Sequence, residues 1–152
     1  MGREIDEDES KQLLSECFAV IESRAKLPYV IAEGMGIRMI GYLLRDVICQ
    51  SYPIESNKPF RTKHNISTEH YWCSIKSFLN HGNNNAVILG FESREWGHWS
   101  VVHTATDNTF SLFDSFNKKR LARRHCTTER ISKEKPIKFF TTGTYLLKRI
   151  PY

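Results

Sequence analysis

The chain has 152 residues, a net charge of +5 and a pI near 9.1, with 40% hydrophobic and 12% aromatic residues. That length suits one ordinary domain, and the apolar content is enough for a packed core, which excludes general disorder. No apolar run approaches the about 18 residues of a membrane span, so an integral membrane protein is not expected.

The chain opens on an acidic stretch, with five acids in residues 4–9, read as a solvated tail ahead of a single domain over residues 10–152. It has neither the basic nor the apolar region of a signal peptide, and Asp6 stands where a myristoylation pattern needs Ser or Thr. Residues 10–25 predict an amphipathic helix with Leu13, Leu14, Cys17, Val20 and Ile21 on one stripe, Ser10 as its cap and Pro28 beyond its end. A second helix is expected over 35–49, faced by Ile37, Ile40, Leu44 and Val47, with Gly34 and Gly36 at its start. Residues 51–67, with Pro53 and Pro59, read as a loop. A third helix is expected over 68–80, with Tyr71, Ile75, Phe78 and Leu79 inward, stopped by the turn residues 81–85.

The period then changes. Residues 86–91 form a short continuous apolar run, the pattern of a strand buried on both faces. Residues 97–105 and 109–114 predict a hairpin around the turn 106–108. Residues 117–130 read as a short helix or loop, and 137–150 as strand with a bend at Gly143. Helices first and an antiparallel sheet after give an α+β domain.

The four cysteines, Cys17, Cys49, Cys73 and Cys126, show no CxxC spacing and read as free thiols in a reducing cytoplasm. The six histidines form no metal-binding pattern, and neither a metal nor any other cofactor is expected. The basic run Lys118, Lys119, Arg120, Arg123 and Arg124 comes without a nucleic-acid motif and reads as a solvated surface, or else as a contact for an acidic partner.

The hairpin carries the candidate chemistry. His98 begins one strand and Asp114 closes the other, so a turn near 105–107 sets them almost opposite, on one face of the ladder. A carboxylate beside an imidazole orients the ring and stabilises its protonated form, which is the base-and-orienter half of a nucleophilic triad. Trp96 and Trp99 flank Gly97 and His98 and suit the wall of a peptide cleft.

The run Ala86 to Leu89, Gly97-His98-Trp99-Ser100-Val101-Val102 and Phe110 to Ser115 resembles papain-like cysteine peptidases of the bacteriocin-processing, double-glycine leader type, over about residues 28–116. The resemblance implies a papain-like fold, with helices packed on an antiparallel sheet, His98 as the base and Asp114 as its orienter. It implies a nucleophilic Cys at a helix start, but Met35 stands there, and the expected upstream Gln is missing between Ala25 and Gly34. A thioether has no ionisable proton and cannot supply a thiolate. The expectation is therefore a peptide- or protein-binding relative without its nucleophile, with a peptide or protein as partner rather than a membrane or nucleic acid. The alternative is an active thiol hydrolase using Cys73 or Cys17.

Overall fold

The computed structural model describes residues 5–62, 65–82 and 84–151, which divide into two compact units, one holding the described residues up to 56 with 150–151 and the other those between 57 and 149. Residues 1–4 of the expected tail, His64 of the expected loop and Asn83 of the expected turn lie outside the described residues. The protein is α+β, with helices and a largely antiparallel sheet.

The first unit is mainly helical. Helix α1 (Glu7–Arg24) starts three residues before Ser10, because Asp6 is the better cap: its carboxylate accepts from the backbone N–H of Glu9 at 2.8 Å. Glu7, Asp8 and Glu9 then form the first turn, where the helix dipole favours negative charge, so these acids belong to a helix rather than to a tail. The expected apolar stripe is buried only at Ile21, while Leu14 is 55% exposed. Pro28 does not simply end this helix. It occupies the first turn of a short helix α2 (Leu27–Glu33), where a missing N–H costs nothing. Gly34 ends α2 at φ 81°, a backbone conformation that glycine adopts without strain.

Helix α3 (Ile37–Leu43) continues through a π-helical turn, Leu44–Ile48, into a final turn α4 (Cys49–Ser51). Its buried side chains are Met39, Ile40, Leu44 and Val47. The Arg24 guanidinium ties α1 to this helix, reaching Asp46 at 2.9 Å and lying 4.0 Å over the Tyr42 ring. A short strand β1 (Ile54–Asn57) interrupts the expected loop.

The second unit is a sheet covered by one helix. Helix α5 (Thr68–Asn80) has the expected bounds, with the Ser67 hydroxyl accepting from the backbone N–H of His70. Its buried stripe is Tyr71, Trp72, Ile75 and Leu79. Strands β2 (Asn85–Glu92), β3 (Gly97–Ala105), β4 (Thr109–Phe113) and β5 (Arg120–Ala122) form an antiparallel meander. The segment 117–130 thus gives β5, a 3₁₀ turn and the two-residue strand β6 (Cys126–Thr127). Strands β7 (Ile137–Phe139) and β8 (Tyr145–Arg149) pair along the same edge of β2, separated by a 3₁₀ turn that contains Gly143. One parallel pair, β6 with β7, completes the sheet.

The core lies between α5 and the inner face of the sheet. The Trp72 ring stacks on Phe110 at 3.6 Å, and its indole N–H donates to the Thr106 carbonyl at 2.9 Å. Val87, Leu89 and Phe91 face it from β2, and Val102 and Ala105 from β3. Tyr71 is fully buried, and its hydroxyl hydrogen-bonds Thr144 at 2.6 Å, so the polar tip is satisfied within the core.

Candidate functional site

The site is assembled by three local features of the second unit: a tight turn, a bulge and an Asx turn. The turn between β2 and β3 is closed by a hydrogen bond from Ser93 N–H to the Trp96 carbonyl at 2.8 Å, while the Ser93 hydroxyl accepts from the N–H groups of Glu95 and Trp96. This holds Trp96 just ahead of His98, whose Cα partner on β2 is Phe91.

The bulge sets the register. Near the hairpin tip Ala105 pairs with Phe110 and Thr104 with Ser111, but beyond His103 the pairs are Val102 with Leu112 and Val101 with Phe113. Continued with His103 kept in the ladder, the tip register would set Asp114 opposite Val101, on the strand face away from His98. With His103 absorbed in the bulge, Ser100 comes opposite Asp114, and His98 becomes its diagonal neighbour on the same face. Direct opposition of His98 and Asp114 is therefore corrected to a diagonal pairing. The shared face survives because one residue drops out of the ladder.

The Asx turn fixes the carboxylate. One oxygen of Asp114, Oδ2, accepts from His98 Nε2 at 2.7 Å. The other, Oδ1, accepts from the backbone N–H of Phe116 at 2.8 Å and of Lys118 at 3.3 Å, across a turn in which Asn117 takes φ 62°. The Asp114 side chain is 1% exposed and that of His98 11%. Burial alone would raise the Asp114 pKa, but the neighbouring Ser100 hydroxyl and hydrogen bonds from Phe116 N–H, His98 and Lys118 N–H together hold it below the ordinary carboxylate range. An ionised Asp114 fixes the ring orientation of His98. Among the described residues nothing hydrogen-bonds the ring's other nitrogen, Nδ1.

The ring borders an open groove of about 470 Å³ lined by Trp96, Gly97, His98, Phe116 and Lys118. Phe116 is 79% exposed and meets the His98 ring edge-on at 4.7 Å. Phe91 packs on the ring's buried side at 5.7 Å. The Lys118 ammonium lies 5.2 Å over the Trp96 ring.

The structure thus gathers His98, Asp114, Trp96 and Gly97. Trp99, one residue along the strand from His98, points to the opposite sheet face and packs on Phe140 at 6.2 Å. Met35 is half-buried in the first unit, between the Gly34 cap of α2 and the Gly36 cap of α3. Phe116, Lys118 and Ser100 escaped the sequence reading. The available signal was Asp114-Ser115-Phe116-Asn117, a composition that favours an Asx turn folding the following residues back onto the carboxylate.

None of the thiols whose pKa moves is moved towards the thiolate. Burial pushes the Cys126 thiol up to about 12, and its Sγ donates to the Ala122 carbonyl. Cys17 is raised by burial and by the neighbouring Glu16 charge. Cys73 is exposed on α5, where its thiol hydrogen-bonds Glu69 at 3.2 Å. Among the described residues no group of three or more His, Cys, Asp and Glu side chains is gathered as a metal ion would require, and no helix is long and apolar enough to cross a membrane.

No protein-family model matches the chain, and no curated protein or solved structure is significantly similar to it.

Proposed function

We propose that the groove beside His98 is a peptide-binding cleft on a papain-like plan, in a chain that has lost the nucleophile and binds without cleaving. The observation that carries this reading is the His98–Asp114 pair, at 2.7 Å, set at the edge of a groove walled by Trp96 and Phe116. An enclosed carboxylate saturated by an imidazole and two backbone N–H groups is the support of a base. Exposed aromatic walls beside it supply the apolar contact area that peptide side chains seek. The missing partner is a thiolate: Met35 takes the place that the family resemblance gives to the nucleophile, and a thioether cannot be deprotonated.

The second reading, an active thiol hydrolase, is favoured by one feature. Asp114 holds Nε2 and leaves Nδ1 open, as a base awaiting a thiol would be. Against it stand the raised Cys17 thiol and the Cys73 thiol bonded to Glu69.

Thiol mapping decides between them. The protein and its His98→Ala variant are treated with limiting iodoacetamide at neutral pH, and each cysteine is followed by mass spectrometry. The proposal expects no cysteine whose rate falls in the variant. One fast thiol that slows when His98 is removed establishes a thiolate–imidazolium pair and overturns it. In parallel, a pool of short unstructured peptides incubated with the protein should shift backbone NMR signals of residues 96–98 and 116–118 and be recovered intact by mass. Cleaved peptides, or unmoved signals, refute the reading.

A further inference from the structure

The groove contains two polar groups that the fold leaves unused. One is His98 Nδ1. The other is the Lys118 ammonium: among the described residues no carboxylate pairs with its Nζ, and its contact is the Trp96 face. Asp114 cannot neutralise it, because Oδ2 is taken by His98 and Oδ1 by the N–H groups of Phe116 and Lys118 itself. The same Asx turn that holds the carboxylate therefore anchors the Lys118 backbone and carries its cation into the groove. A half-buried lysine whose ammonium lies over an aromatic face, with no anion of its own, marks the place where a ligand anion is favoured.

The spacing narrows the choice of anion. The His98 ring lies 4.7 Å from the Phe116 ring, and Lys118 Nζ lies 5.2 Å from the Trp96 ring. The cation therefore adjoins the apolar wall at Trp96, within reach of groups carried on a single residue. In an extended peptide successive side chains point to opposite faces, so an apolar residue next to Asp or Glu directs one of the two away from the groove. A C-terminal apolar residue carries its side chain and its carboxylate on one Cα and presents both together.

Resting on the peptide-cleft reading, we infer that the groove recognises the C-terminus of a peptide, with an apolar last side chain between Trp96 and Phe116 and the free carboxylate on Lys118.

The test uses the whole chain and three peptides, acetyl-Ala-Ala-Leu, acetyl-Ala-Ala-Phe and acetyl-Ala-Ala-Trp, each as free acid and as C-terminal amide, with binding followed by calorimetry. A charge-assisted contact predicts that at least one acid binds about tenfold or more tightly than its amide. Lys118→Met should abolish that preference, so that the variant binds acid and amide alike, and salt should weaken the acid alone in the unaltered protein. Lys118 contributes only its backbone N–H to Asp114, so the variant keeps the His98 support. Acid and amide binding equally well overturns the carboxylate assignment and leaves the peptide cleft standing. An internal Asp or Glu replacing the free end without loss assigns the cation to acidic side chains and overturns the C-terminal claim. Failure of all six to bind overturns the inference, and the cleft reading then stands or falls on the separate peptide pool.

Discussion

Replacing Asp114 with alanine tests the joint on which the whole site depends. The carboxylate is 1% exposed and accepts from three donors: His98 Nε2 at 2.7 Å, Phe116 N–H at 2.8 Å and Lys118 N–H at 3.3 Å. Hydrogen bonds to a charged acceptor contribute about 1.5–3 kcal/mol each, but three on one carboxylate do not add. Truncation also leaves the donors without their acceptor, so the expected loss at pH 7 is about 3 kcal/mol. For a chain of 152 residues that corresponds to a fall in Tm of about 10 °C. The pH dependence follows from the direction of the Asp114 shift. Its folded pKa lies below the ordinary carboxylate value of 3.8, so its stabilisation is fully present above that value and is lost as pH falls through the lower folded pKa. Urea denaturation of wild type and Asp114→Ala, followed by circular dichroism at pH 7 and at successive steps below pH 4, reads both effects. The gap between the two proteins should be widest at pH 7 and narrow on acidification. A gap under about 0.5 kcal/mol at pH 7, the range of an ordinary surface substitution, would refute the argument. So would a gap that grows on acidification.

Three further outcomes follow from the packing around the site. A Cβ at Gly90 would meet Phe140 Cδ2 at 2.6 Å and Trp99 Cζ3 at 3.1 Å, so Gly90→Ala should cost about 1–3 kcal/mol by overpacking. An unchanged urea midpoint would show that Phe140 moves aside freely. Deleting His103 removes the bulged residue but leaves Thr104 opposite Ser111 and Val102 opposite Leu112, so Asp114 keeps the face it shares with His98. The deleted protein should retain the His98–Asp114 hydrogen bond in a crystal or NMR structure, and its loss would mean that the strand pairs shift when the bulge is removed. Cys126 is fully buried with its thiol pushed up to about 12, so iodoacetamide at neutral pH should modify it more slowly than exposed Cys73. Equal rates would contradict that burial.

Much of the architecture was legible in local pattern. Helix α5 shows its stripe and its Ser67 cap in sequence, and the hairpin shows two β-rich runs around Thr106-Asp107-Asn108. Where two local signals compete, the residues alone do not rank them. Ser10 and Asp6 are both cap residues by type, and Asp6 prevails because it precedes a turn of three acids that the helix dipole favours. Pro28 can end one helix or start the next, and here it lies in the first turn of α2.

The site divides along the same line. His98 and Asp114 could be chosen by residue type and by their places at the strand ends, because a hairpin turn is a local feature of sequence. That they share a face could not be read from parity alone: it depends on a bulge at His103, which turns Val102 and Ala105 both inward in spite of their odd spacing. Tertiary structure also decided the fates of the two neighbouring tryptophans. Trp96 is held in a turn at the groove, while Trp99 faces the other side and packs on Phe140. It brought in Phe116 and Lys118 through backbone hydrogen bonds to Asp114. Sequence by itself determines the periods, caps and turn chemistry that make the elements, because these act over a few residues. Which side chains meet across the sheet is decided only when strands pair, since a one-residue change of register reverses every face.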